Sequence, residues 1–128
     1  MRFLSRLEAP AYVAMRVVVG LLLTFHGMQK LFGWWNGHTV DTFSQLWVGG
    51  VIELAGGALV AIGLFTRPAA FIASGMMAVA YFQFHFRGHF EHRHWAPIVN
   101  HGEPAVVYCF VLLYIACRGA GTLAFDKR

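Results

Sequence analysis

The sequence predicts an all-α membrane protein, a bundle of four transmembrane helices with both termini in the cytoplasm. Three observations carry this. Four largely apolar stretches, about 11–32, 48–65, 68–86 and 103–121, have the length a bilayer-crossing helix needs, about 17–25 residues. Only 12% of the residues are charged, against about 25% in soluble domains, so most of this surface is not built for water. All four prolines fall at predicted helix starts or in loops, leaving the spans uninterrupted. The mean hydropathy of +0.56 points the same way. The net charge of +4 comes without a basic run or a basic–aromatic patch, so it reads as membrane topology and excludes a nucleic-acid partner.

Met1 to Glu8 is a short basic amphipathic lead-in, and Pro10 suits a helix start. The first span organises the chain. At roughly 100° per residue, Arg16, Gly20, Leu23, Gly27 and Lys30 fall on one face. Charged groups in a membrane helix turn toward a bundle interior or water, and glycines on the same stripe let another helix approach. Arg16 interrupts the apolar run and no small-residue cleavage site follows it, so the segment reads as an uncleaved span rather than a signal peptide.

Gly33 to Trp47 predicts a loop holding a short interfacial helix. Thr39 or Asp41 would cap it, with Phe43, Leu46 and Trp47 on one face and Trp34 and Trp35 in an aromatic belt. The second span is glycine-rich, and its one carboxylate, Glu53, shares a face with Gly49, Gly56 and Gly57. A buried carboxylate needs a partner or a proton. Thr66-Arg67-Pro68 makes a tight turn into the third span, whose polar members are Ser74, Gln83 and His85. A second long loop, Arg87 to Gly102, carries four histidines before Glu103 and Pro104 open the fourth span. Cys109 and Cys117 lie about 12 Å apart along that helix, beyond disulfide reach, and read as small packing residues.

Positive charges set the orientation. Arg2, Arg6, Arg67, Arg118, Lys127 and Arg128 collect at one side, which the positive-inside rule places in the cytoplasm. At the other, outer side, Lys30, Glu53, His85 and Glu103 arrive from four different helices, with His26 one turn below Lys30. Two readings remain open for these five residues. One is an ionic network that fixes helix register; the other is a site for a lipid or quinone headgroup, or a proton relay. Arg16 and Arg118 form the polar pair of the inner side, within reach of lipid headgroups or each other's helices. His85, His89 and His92 would share a face as metal or haem ligands if the third helix continued. Gly88 inside the run and the missing thiolate favour ordinary loop histidines, so no metal site is assigned.

These residues, taken in order, resemble the DoxX family of small four-helix membrane proteins. The matching pieces are Arg16 with Gly20; Phe25-His26-Gly27 with Lys30-Leu31; Gly50 and Glu53 with Gly56-Gly57; and Gly63-Leu64-Phe65-Thr66-Arg67 with Ala69-Ala70. Gly102-Glu103 and Gly119-Ala120-Gly121 with Leu123 and Asp126 complete them. The histidine loop is not part of the pattern. The resemblance implies a multi-pass protein of the bacterial cytoplasmic membrane, linked to redox processes, with members such as a subunit of a thiosulfate:quinone oxidoreductase. The thiol side of that association finds no C-x-x-C here. The expected function is a subunit or accessory of a larger membrane complex that supports electron transfer and binds quinone or lipid. The alternatives are an assembly subunit with no ligand of its own and a small-molecule transporter. No nucleophile–base–orienter set supports an enzyme.

Overall fold

The computed structural model describes residues 2–127, except the side chains of Arg2 and His92. Its long helices are α1 (Glu8–Phe32), α2 (Gln45–Ile62), α3 (Thr66–Phe86) and α4 (Glu103–Arg118). No strand occurs among the described residues. Helices α1, α2 and α3 are long and apolar enough to cross a membrane. α4 has 16 residues, about 24 Å of helix. It stops at Arg118, three residues before the expected end, because Gly119 at φ +87° turns the chain out of the helix.

The interfacial helix is a correction: no helix lies between Phe32 and Gln45. Asp41 to Ser44 forms a turn, with Phe43 at φ +62°. Ser44 is the residue that caps, its Oγ accepting the Trp47 N–H at 3.1 Å. Leu46 and Trp47 therefore belong to α2, and their shared periodicity is the first turn of that span read early.

α1 and α2 pack antiparallel, backbone against backbone. A Cβ built on Gly20 would lie 2.6 Å from the Gly57 carbonyl oxygen, and one on Gly57 would lie 2.6 Å from that of Gly20. One turn-pair further along, a Cβ on Gly27 would lie 2.7 Å from the Gly50 carbonyl oxygen. Glycines seven residues apart on each helix thus remove the side chains that would hold the helices apart. The stripe expected on α1 is the buried one: Arg16, Gly20, Leu23 and Gly27, joined by Tyr12 and Thr24. α2 meets α3 less closely, since a side chain at Gly56 would reach only ordinary contact with Ala73, at 3.8 Å.

α3 and α4 form the second antiparallel pair, tied at mid-length by the Ser74 hydroxyl donating to the Cys109 carbonyl at 2.7 Å. The core between the pairs is Leu23, Val60, Ala70, Ala73, Leu112 and Ile115. The last turns of α3, Tyr81–Phe86, widen to i→i+5 hydrogen bonding before Arg87 leaves at φ +53°. There the Tyr81 ring lies against Gly102, where a Cβ would approach it to 2.7 Å. Asn100 locks this loop. It accepts from the Gly102 N–H at 2.8 Å and donates to the His94 carbonyl at 2.9 Å.

Candidate functional site

Polar groups gather at both ends of the bundle. At the end that holds the two long loops, Lys30 Nζ donates to Glu53 Oε1 at 2.7 Å. Glu53 is 3% exposed, and its second oxygen, Oε2, is buried without a hydrogen-bond partner. The sequence builds this pair through Gly50. A Cβ there would lie 3.2 Å from Lys30 Cβ, so a larger residue would press directly on the lysine stem.

His26 donates from Nδ1 to the Leu22 carbonyl at 2.8 Å and meets the Tyr108 ring edge-on at 6.2 Å. Tyr108 reaches in from α4 and lies within electrostatic range of Glu53. The structure therefore brings together His26, Lys30, Glu53 and Tyr108, the last missed at the sequence level. His85 and Glu103 stand outside this group. His85 turns to the loop and donates to the Asn100 carbonyl at 3.2 Å. Glu103 is exposed in the first turn of α4 and makes no ion pair among the described residues. Long connections with several left-handed residues, Arg87, Arg93 and His101 among them, separate the third helix end from the fourth helix start.

Beside the ion pair, an apolar groove of about 290 Å³ runs between α2 and α3. Ile52, Ile72, Met76, Val79 and Phe84 line it; Lys30 and Gln45 stand at its head. Gln45 is hydrogen-bonded to Gln83 across that head. Gly49 opens the groove, where a Cβ would find only Met76 Sδ, 3.9 Å away.

At the other histidines no cluster forms. His89 and His94 rings lie 6.1 Å apart, and no group of three metal-ligating side chains occurs among the described residues. The His92 side chain lies outside the described residues.

The opposite end holds the start of α1, the end of α4 and residues 119–127. Arg16 is 1% exposed, and its guanidinium meets backbone carbonyls. It donates to Ala120, to Leu123 at 2.7 Å and to Ala61 at 3.4 Å; Nε stays unpartnered. The Tyr12 hydroxyl donates to the Gly119 carbonyl. Residues 119–126 are thereby strapped across the helix ends. Asp126 fastens the far side, accepting the N–H groups of Phe65 at 2.7 Å and Thr66 at 2.8 Å. The Thr66 hydroxyl, beside the carboxylate but outside hydrogen-bond geometry, acts with these N–H groups to hold the Asp126 carboxyl below its ordinary value. Arg67 donates to the Ala116 and Cys117 carbonyls at 3.1 and 2.6 Å, satisfying the end of α4. Arg118 pairs with Glu8 at 3.1 Å, donates to the Tyr114 hydroxyl at 2.9 Å and sits 4.1 Å over the Tyr12 ring.

The DoxX family profile matches residues 11–86, which carry the glycine stripes, Arg16 and the Lys30–Glu53 pair. The chain belongs to the DoxX family. It is also 40% identical over 126 residues to an uncharacterized protein of Haemophilus influenzae, covering 93% of this chain and 91% of that one. No solved structure matches it. The DoxX match ends where α3 ends, so Tyr108, α4 and the 119–126 strap lie beyond the matched segment while the H. influenzae relative spans them.

Proposed function

We propose that this DoxX protein is a four-span protein of the bacterial cytoplasmic membrane, both termini inside, that binds a quinone or lipid headgroup at the Lys30–Glu53 end. It works as a subunit or accessory of a larger electron-transfer complex. The observation that carries the reading is the unpartnered Glu53 Oε2 beside a lysine that heads an apolar groove. Half-satisfied buried carboxylates are rare, and each calls for an explanation. A quinone carbonyl or a lipid headgroup would accept from the Lys30 ammonium, and its apolar part would lie along Ile52, Met76 and Phe84. Ring-sized apolar grooves with one or two polar groups are the usual form of such sites.

The test is what co-purifies. Native mass spectrometry and solvent extraction of the detergent-purified protein should show quinone or a specific lipid above the bulk-membrane level. Gly49→Leu, which fills the groove without touching the ion pair, should abolish that excess at unchanged thermal stability. The same co-purification in Gly49→Leu, or none in the native protein, would leave the assembly-subunit reading. That reading draws on the Lys30–Glu53 bond itself, which ties α1 to α2.

A further inference from the structure

We infer that the cavity at the start of α3 and the end of α4 is a phosphate-binding site, formed by Arg67, Arg118 and Lys127 around the 119–121 turn, which takes the phosphate of an anionic group at the membrane boundary. The cavity measures about 680 Å³ and is lined by the three cations together with Thr66, Gly119 and Asp126. One chain provides all of it: the start of α3, the end of α4 and the strap.

Charge decides the class of ligand. Three cations and one carboxylate, Asp126, line the cavity; Arg118 is paired outside it with Glu8 at 3.1 Å, so Arg67 and Lys127 are the two without a carboxylate partner among the described residues. Both Asp126 oxygens accept backbone N–H groups, and the Arg16 charge lies within electrostatic reach behind it. Arg67 is fixed by its carbonyl partners, and Arg118 by the Tyr114 hydroxyl and the Glu8 carboxylate, so both guanidinium groups are held in place rather than free to collapse. Lys127 is exposed and forms no ion pair among the described residues. The floor is close-packed: a Cβ on Gly119 would lie 3.1 Å from Arg67 Nε, so glycine lets the guanidinium lie flat over the turn.

Thr66 is fully buried beneath the cavity, its hydroxyl beside the Asp126 carboxylate. The position also suits the phosphate layer of a bilayer. The apolar length of α3 begins at Thr66 and α4 ends at Arg118, and Phe65 and Phe125 are exposed beside the opening. Basic pockets at span ends recognise anionic headgroups, at about fivefold in affinity per basic residue.

The experiment uses the full chain in detergent and native mass spectrometry, with dioleoyl phosphatidylglycerol, dioleoyl phosphatidylcholine or inorganic phosphate added. The expected result is retention of phosphatidylglycerol over phosphatidylcholine by about fivefold or more. Lys127→Gln should lower that ratio about fivefold at unchanged melting temperature, since the exposed side chain forms no ion pair among the described residues. Arg87→Gln makes the same charge change at the opposite end and should leave the ratio alone. Competition of the lipid by millimolar inorganic phosphate would assign the site to a free phosphate; no competition assigns it to the headgroup. Equal retention of the two lipids with no phosphate bound, or equal loss in Lys127→Gln and Arg87→Gln, would overturn the proposal.

Discussion

Glu53 carries more consequence than any other single residue in the chain. Its pairing with Lys30 is asymmetric: the carboxylate is enclosed, while 31% of the lysine side chain remains exposed. Removing the lysine strands a buried charge; removing the carboxylate frees a cation that still reaches water. Lys30→Met should therefore cost about 3 kcal/mol and Glu53→Gln clearly less, with the double variant recovering about 1–2 kcal/mol of the summed loss. Thermal melts of the four proteins in one detergent check this, and strict additivity would show that the two groups do not interact. The pair was legible in the sequence because glycine-bearing faces and antiparallel neighbours place residues 30 and 53 at one level. Tyr108 and Asn100 were not. An aromatic on a lipid-rich helix and an amide in a histidine loop carry no sign of where they point. The same holds for His85 and Glu103, whose depth was readable but whose direction depended on the left-handed turns of the 87–102 connection.

At the scale of elements, the α1–α2 contact is the tightest joint in the molecule. It depends on hydrogen atoms where side chains would normally be. Gly57→Val should push its Cβ into the Gly20 carbonyl oxygen and the Thr24 backbone nitrogen, both at 2.6 Å, and cost about 3 kcal/mol or more. Gly75 provides the contrast within α3, because a Cβ there meets nothing within 4 Å. Gly75→Ala should raise stability by about 0.5–1 kcal/mol through helix propensity. Melting temperatures moving in opposite directions for the two variants check both. Glycine content alone does not distinguish these cases; only the partner backbone does. The helices themselves were readable from apolar length and punctuation, whereas the expected interfacial helix was not formed. Phe43, Leu46 and Trp47 match a helical face, but a left-handed Phe43 and the Ser44 cap split that pattern between a turn and a span.

For the whole molecule, the two ends differ in sign and in order. One end carries an ion pair, an aromatic group of Phe25, Trp34 and Trp35, and two long loops. The other carries Arg16, Arg67, Arg118 and Lys127 around a strap. The positive-inside rule then predicts which end faces the cytoplasm. Single cysteines placed at Thr39 or Gln45 should react with an impermeant maleimide from the outside of intact cells, and one placed at Ala124 should react only after lysis. Labelling in the reverse sense would invert the orientation while leaving the fold as described. The strap was invisible in the sequence for a plain reason. Tyr12 and Arg16 hold it by its backbone carbonyls and Asp126 holds backbone N–H groups, and backbone groups have the same signature at every residue.

That strap also ties the first helix to a distant stretch of chain. Arg16 enters the membrane with the first span, yet the carbonyls of Ala120 and Leu123 that receive it are more than a hundred residues away in the chain. Without residues 119–126 this arginine would keep only the more distant Ala61 carbonyl, at 3.4 Å, from the second span. Loss of that segment would therefore act on the first helix, by leaving a buried guanidinium short of acceptors.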